Sequence, residues 1–358
     1  KLPSKKKEKT NSMAFFDLNI PYDPNPATKA NRTRIAVRCM ELGFAGVAYN
    51  RTIKGVMSDR DRCSILPLPP SSIASLLSLS PSFAASVSLH RELLGSTRSA
   101  PFRQYTRLTV LFESTPQGNA LNAGNPVLRS YDIVAARPLS QPAFDQACLK
   151  CEVDIISIDF GEKLPFRMKQ PMIKAALKRG VYFEILYSGL VGDVQVRRQI
   201  ISSAKLLVDW TRGKNIIFSS AAPSVTELRG PYDIANLSSL LGLNMEQAKA
   251  AISKNCRDLI QKALRRKNFY KEAVRVEPLS SDKQLNLKEP ISADWLKWDP
   301  LSSGEGDLQL DDVLKSFSDT ARASKTVKAI DFTSIIDSLP PGGFSLMAKR
   351  SEFLVAPT

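Results

Sequence analysis

The chain has 358 residues, 43% of them hydrophobic, and a formal net charge of +15 at pH 7. This supplies enough apolar material for one large domain or two smaller ones. Its five cysteines are odd in number and scattered, and no stretch approaches the ~18 apolar residues of a membrane span, so the sequence disfavours a secreted disulfide framework and a membrane protein.

The positive charge is concentrated in one part of the chain. Residues 1–12 carry a net charge of +4 and residues 277–358 a net charge of −4, while residues 13–276 hold 36 basic and 21 acidic residues. A basic domain attracts polyanions such as RNA, DNA and acidic membrane surfaces, with nucleic acid favoured here. The alternative is a soluble domain whose Lys and Arg side chains are only solvated.

Strands and helices are predicted to alternate from residue 13 to residue 276. The lysine-rich residues 1–12 are predicted to be a disordered leader; their run at 5–9 is either a nuclear import signal or a solvated tail. Amphipathic helices are predicted at 28–42, 170–179 and 194–208. Short apolar runs, typical of strands buried on both faces, lie at 14–18, 45–49, 108–112, 132–136, 154–158, 181–186 and 216–218.

This alternation predicts an α/β fold with a parallel sheet, either an open doubly wound sheet or a closed TIM-like (β/α) barrel. The barrel is favoured because no Gly-x-Gly-x-x-Gly follows a strand and because the folded length is near the ~250 residues typical of that fold. Residues 66–100 are rich in Ser and Pro and are predicted to be a surface insertion. Residues 277–358 are predicted to be a low-complexity, disordered tail.

Three helices are predicted after the last strand. Pro231 suits the first position of one helix and Gly242 its end, and Asn244 with Gln247 forms a capping box for the next. Asn255 is predicted to cap the third helix. The outer face of that helix is basic, which suits either phosphate binding or a solvated helix end: Arg257, Lys262, Arg265, Arg266 and Lys267, followed by Lys271 and Arg275.

Several ordered motifs identify a known family. The segments DIISID at 154–159, RGVYFEILYS at 179–188, GKNIIFSSAA at 213–222 and RGPYDIANL at 229–237 resemble the thirty-kilodalton protein subunit family of ribonuclease P and RNase MRP. The resemblance is greatest across 150–258, with a further match at 13–22. It does not cover the insertion or the tail.

The resemblance implies a barrel related to the polymerase-and-histidinol-phosphatase (PHP) metallohydrolases. It further implies a non-catalytic, RNA-binding subunit that supports 5′-leader removal from precursor tRNA and rRNA processing. The implied partners are the RNase P/MRP RNA, precursor tRNA, a small RRM-like subunit and other RNase P/MRP proteins. The implied location is the nucleus and nucleolus.

A divergent metal-dependent phosphoesterase is the alternative function on the same barrel. The related metallohydrolases place His-x-His at the end of the first strand, where this chain has Asp17 and Asn19. Its single histidine, His90, lies in the insertion, and only Asp17 and Asp159 are obvious ligands at strand ends. Cys148 and Cys151 lack a second pair at zinc spacing. We therefore predict no catalytic residue, no metal and no cofactor, and interpret Asp17 as an acceptor for loop amides.

The basic residues at strand ends and helix starts are the candidate RNA contacts. Lys and Arg at such positions neutralise phosphates of a folded RNA and release its counterions. The predicted RNA-binding residues are Arg229, Lys163, Arg167, Lys169, Arg197, Arg198, Arg51 and Lys54.

Overall fold

A computed structural model describes residues 14–69, 72–73, 83–93, 101–270 and 274–275. The predicted disordered leader and tail, at 1–12 and 277–358, lie outside the described residues. The boundaries of the three predicted regions therefore stay predictions. Within the described part of the chain, no helix is both long and apolar enough to cross a membrane.

Seven parallel strands form the centre of the molecule, paired in the order of the sequence. The first and last strands approach each other, because the Ala221 amide donates to the Asn19 carbonyl at 3.0 Å. The predicted α/β, TIM-like barrel is therefore confirmed. The strands are β1 (Phe16–Pro21), β2 (Gly46–Lys54), β3 (Arg103–Phe112), β4 (Ile133–Pro138), β5 (Ile155–Ile158), β6 (Tyr182–Leu186) and β7 (Ile216–Ser219).

Helices surround the barrel and connect its strands. Strands β4, β5 and β7 are buried along nearly their whole length, which is why they read as continuous apolar runs. The helices are α1 (Pro26–Glu41), α2 (Phe83–Leu93), α3 (Thr115–Asn119), α4 (Pro126–Ser130), α5 (Gln141–Leu149), α6 (Gln170–Lys178), α7 (Ser188–Val191), α8 (Val194–Thr211), α9 (Pro231–Ser239), α10 (Met245–Ile252) and α11 (Lys254–Asn268).

Helix α11 packs against the inside of the barrel. Its apolar face, including Leu259, Ile260 and Ala263, shares a buried cluster with strand residues such as Phe16 and Ile155. The helix begins at Lys254, so the prediction that Asn255 caps it is wrong. Asn255 instead donates its side-chain amide to the carbonyl of Ile216 on β7, at 2.7 Å. It links the helix to the barrel.

The turns around α9 and α10 follow the sequence closely. Pro231 is the first residue of α9, and the side chain of Asp233 accepts from the Gly230 amide at 3.3 Å. The helix ends three residues before Gly242, whose φ of +92° makes the following turn. Asn244 caps α10 as predicted, since its side chain accepts from the Gln247 amide at 2.8 Å.

Part of the predicted surface insertion belongs to the core. Helix α2 lies within 66–100, and Val87 on it is buried. Leu68 and Ile73 are buried in the same hydrophobic cluster. The prediction that this segment lies wholly at the surface is therefore wrong for these three apolar side chains.

Candidate functional site

The predicted RNA-binding residues follow the carboxyl ends of four strands. Arg51 and Lys54 lie in the last part of β2, and Arg229 follows β7. Lys163, Arg167 and Lys169 lie between β5 and α6, and Arg197 and Arg198 lie near the start of α8, after β6. Because parallel strands all end on the same side of a barrel, the topology brings these eight side chains to one end of the molecule. We call this set of eight residues the mouth cations.

Three of the mouth cations form ion pairs with carboxylates. Arg51 pairs with Asp61 at 3.0 Å, Lys54 with Glu113 at 3.1 Å and Lys169 with Asp145 at 3.4 Å. Exposed pairs such as Lys54–Glu113 and Lys169–Asp145 contribute little to stability, whereas the Arg51–Asp61 pair is partly buried. Each carboxylate nevertheless competes with an incoming phosphate for its cation, so these three residues are weaker candidates for RNA contacts.

Two further mouth cations bind backbone carbonyls. Arg197 donates through Nε to the Leu190 carbonyl at 2.6 Å, at the end of the short helix α7. Arg229 donates to the carbonyls of Thr226 and Leu228 at 2.8 and 2.7 Å. The Arg229 guanidinium therefore stabilises the backbone of the turn before α9. These contacts fix both side chains, and neither charge has a carboxylate partner among the residues that the structure describes.

The remaining three mouth cations are Lys163, Arg167 and Arg198. All three are exposed, and none has a side-chain partner within the described ranges. Lys163 and Arg167 lie in the loop between β5 and α6, and Arg198 lies near the start of α8. Of the eight predicted residues, these three are the most available to phosphates.

A buried ion pair lies inside the barrel. Arg107 on β3 donates to both carboxylate oxygens of Glu184 on β6, at 2.5 and 2.6 Å, and both side chains are fully buried. Burial raises the pKa of Glu184, but the adjacent charge and hydrogen bonds of Arg107 outweigh it and bring the pKa below its usual value. Glu184 is therefore ionised and neutralised in place.

Hydrogen bonds connect this pair to the first three strands. The side-chain NH₂ of Asn19 donates to Glu184 at 3.3 Å, and its side-chain oxygen accepts from the Asn50 side chain at 2.8 Å. The Thr109 hydroxyl donates to the Asn50 side chain at 2.8 Å, and Arg107 donates to the Thr109 hydroxyl at 3.2 Å. The polar side chains on β1, β2, β3 and β6 therefore bond mainly to one another.

Asp17 acts as an acceptor for loop amides, as predicted. Its Oδ1 accepts from the Asn19 and Ser220 amides at 3.2 and 3.1 Å, joining β1 to the end of β7. Burial raises the pKa of Asp17 to about 6, against the lowering effect of its hydrogen bonds with Ser220 and Asn19.

The polar residues at the ends of β1 and β5 do not form a polynuclear metal centre. The side-chain amide of Asn19 bonds to Glu184 and Asn50. Oδ1 of Asp17 accepts from two backbone amides, while its buried Oδ2 has no hydrogen-bond partner among the described residues. Asp159 accepts from the Gly161 amide and faces Arg137 at 3.6 Å. In the part of the chain that the structure describes, no three His, Cys, Asp or Glu side chains lie close enough to hold a metal ion.

A cavity at the opposite end of the barrel did not emerge from the sequence. It has a volume of about 520 Å³ and is lined by α4 and the start of β4, by residues before β5 and β6, and by one side of α11. The basic outer face predicted for α11 was the only sequence signal for it. Its basic lining residues come from α4, from the end of α6 and from α11: Arg129, Arg179, Lys262, Arg266 and Lys267.

Known proteins resemble this chain over most of its described length. "Protein GAMETOPHYTE DEFECTIVE 1" of Arabidopsis thaliana is 58% identical over 341 residues, which cover 93% of this chain and 58% of that protein. "Ribonuclease P protein subunit p30" of Mus musculus is 41% identical over 173 residues, or 48% of this chain and 65% of that protein. The chain thus spans about three fifths of these two relatives.

A shorter relative is matched along nearly its whole length. "Probable ribonuclease P protein subunit 3" of Schizosaccharomyces pombe is 36% identical over 257 residues, covering 72% of this chain and 97% of that protein. Residues 14–268 match the model of the family described as RNase P subunit p30. The chain therefore belongs to the RNase P subunit p30 family.

Proposed function

We propose that this chain is a non-catalytic, RNA-binding protein subunit of ribonuclease P and RNase MRP. In this role it supports 5′-leader removal from precursor tRNA and processing of rRNA. Family membership is the observation that carries the proposal, because the relatives from mouse and fission yeast are named as ribonuclease P subunits. The partners proposed are the RNase P/MRP RNA, precursor tRNA, a small RRM-like subunit and other subunit proteins, in the nucleus and nucleolus.

The surface charge supports binding to RNA. Residues 13–276 carry 36 basic and 21 acidic residues, so the barrel is positive as a whole. Lys163, Arg167 and Arg198 lie exposed at the mouth, on the loop after β5 and at the start of α8. Neutralising RNA phosphates with such side chains releases counterions, which favours binding at low salt.

The barrel interior supports a non-catalytic role. Arg107 places a positive guanidinium beside Glu184, where a metal-dependent phosphoesterase needs its carboxylates free for cations. The hydrogen bonds of Asn19, Asn50 and Thr109 complete this network. We therefore propose that this chain does not itself carry out phosphodiester cleavage.

Titrating a folded RNase P RNA with the purified chain at several salt concentrations tests the proposal. We expect the logarithm of the binding constant to fall steeply and linearly with the logarithm of the salt concentration. A flat dependence contradicts the proposed RNA binding. Stoichiometric Mn²⁺ or Zn²⁺ binding together with hydrolysis of a simple phosphoester, abolished by Asp17→Ala, supports the phosphoesterase instead.

A further inference from the structure

The cavity at the amino-terminal end of the strands, which we call the end pocket, combines a basic rim with an apolar floor. Five basic residues and two acidic residues, Glu152 and Asp154, line it. Even when Asp132 is added, which pairs with Lys267 at 2.6 Å, the basic residues outnumber the acidic ones by two. The local field of the end pocket therefore favours an anionic ligand.

The basic side chains of the end pocket are held in place by the fold. Arg266 donates to both oxygens of Asp154, at 2.6 and 2.7 Å. Lys262 donates to the carbonyls of Arg179 and Gly180, at 3.1 and 2.9 Å. A ligand that binds such fixed cations loses less free energy to the ordering of side chains than one that binds mobile lysines.

Arg129 and Arg179 have no carboxylate partner within the described residues. Arg179 donates to the carbonyls of Ala147, Cys148 and Cys151, which positions the guanidinium without neutralising it. Arg129 is exposed at the end of α4. These two residues are therefore the best placed to accept a phosphate.

The floor of the end pocket is apolar. Leu128, Tyr131, Val153 and Val181 all line it and are all buried side chains of the core. A volume of about 520 Å³ falls within the range of small-ligand sites and is large enough for one nucleotide. Apolar side chains beside fixed cations suit a ligand that carries both a ring and a phosphate, such as a nucleotide.

We propose that the end pocket binds one nucleotide, with its phosphate at Arg129 and Arg179 and its base on the apolar floor. This inference rests on the proposed function, because it assigns the nucleotide to a single-stranded segment of the bound RNA. It places an RNA contact on the face of the barrel opposite the mouth cations. A free mononucleotide has the same chemistry, so the two sources must be separated by experiment.

Three substitutions in the full chain test the proposal. Ala123→Trp fills the exposed rim of the end pocket without changing the charge. Arg129→Ala removes a cation that has no side-chain partner in the described ranges. The matched control is Lys205→Ala, which removes one charge from an exposed residue of α8 outside the end pocket. Thermal melting of each variant verifies that it folds.

The probes are the four nucleoside 5′-monophosphates, followed by saturation-transfer NMR, and a fluorescent eight-residue oligouridylate, followed by anisotropy. We expect Ala123→Trp to abolish the NMR signal and to weaken oligonucleotide binding about tenfold, the effect of losing one stacked base. Arg129→Ala should weaken both about threefold to tenfold, and Lys205→Ala should change neither by more than about twofold.

The outcomes separate this proposal from the proposed function. If Ala123→Trp and Arg129→Ala bind the oligonucleotide as the wild type does, the end pocket is not an RNA site, whereas the proposed function stands. The same result with loss of the mononucleotide signal assigns the pocket to a free nucleotide and overturns the RNA assignment. If the wild type binds no RNA, both proposals fail. If Ala123→Trp does not fold, Arg129→Ala alone decides.

Discussion

Arg107 and Glu184 form a two-point ion pair at the centre of the barrel, with both side chains shielded from solvent. The pair joins β3 to β6 across the interior rather than along the sheet, because these strands are not neighbours in the sheet order. It places a fixed positive group among the polar side chains of the barrel interior. The pair is thus a structural element of the barrel.

Replacing Arg107 by Met should strongly destabilise the chain. It leaves the Glu184 carboxylate buried without its counter-charge, which costs about 3–5 kcal/mol in the free energy of unfolding. The double variant Arg107→Met/Glu184→Leu removes both charges and should recover most of this loss. Urea denaturation of the wild type and both variants measures these free energies of unfolding. A loss below about 1 kcal/mol in the single variant contradicts the structural role of the pair.

The stability of the chain should depend on pH through Asp17. Burial raises its pKa from the ordinary 3.8 to about 6, so the folded state favours the protonated carboxyl. This contribution is fully present below pH 4 and is lost as the pH rises through 6. A shift of two units corresponds to about 3 kcal/mol.

Asp17→Asn keeps an oxygen acceptor for the Asn19 and Ser220 amides but removes the titration. We expect the difference in unfolding free energy between this variant and the wild type to grow in favour of the variant from pH 4 to pH 7. Asp209→Asn, at an exposed position of α8, is the control. A difference that does not change with pH disproves the raised pKa.

The free mouth cations should contribute more to RNA binding than the paired ones. Changing Lys163, Arg167 and Arg198 to Ala together should reduce the salt slope of RNA binding by about 2, since each phosphate contact contributes roughly 0.7. The triple Ala variant of Arg51, Lys54 and Lys169 changes the net charge equally and should reduce the slope less. If the two triple variants have equal salt slopes, the ion pairs do not reduce the contribution of their cations to RNA binding.

Asn255 should stabilise the contact between α11 and the barrel. Asn255→Ala removes the hydrogen bond to the Ile216 carbonyl and leaves that oxygen unsatisfied, which costs about 1–2 kcal/mol. The control is Lys254→Ala at the exposed neighbouring residue. Its free energy of unfolding should stay within about 0.5 kcal/mol of that of the wild type. Chemical denaturation measures both variants, and equal effects contradict the assigned role.

The sequence predicted the barrel well because its strands are buried on both faces and appear as apolar runs. Each of the seven predicted runs overlaps an observed strand, although β3 begins at Arg103, five residues before the predicted run. The polar and charged residues Arg103, Gln104 and Arg107 hide this first half of the strand from a search for apolar runs. Their partners lie elsewhere in the chain, as Glu184 does for Arg107.

The candidate site was less predictable, because the partners of a charge are set by tertiary contacts. Nothing in the sequence distinguishes Lys169, which pairs with Asp145 on α5, from the unpaired Lys163. The end pocket depends on residues separated by more than a hundred positions, such as Arg129 and Arg266. Family motifs identified the family where local patterns did not.

Recovery of the tagged full chain from cell extract, with sequencing of the attached RNA, tests the central claim most directly. We expect the RNase P RNA and the RNase MRP RNA to be enriched, together with precursor tRNA, and nuclease treatment to remove them. A matched sample of the Lys163, Arg167 and Arg198 triple Ala variant should show reduced enrichment. The account is contradicted if the chain is recovered with no enriched RNA while other ribonuclease P subunits from the same extract retain their RNA.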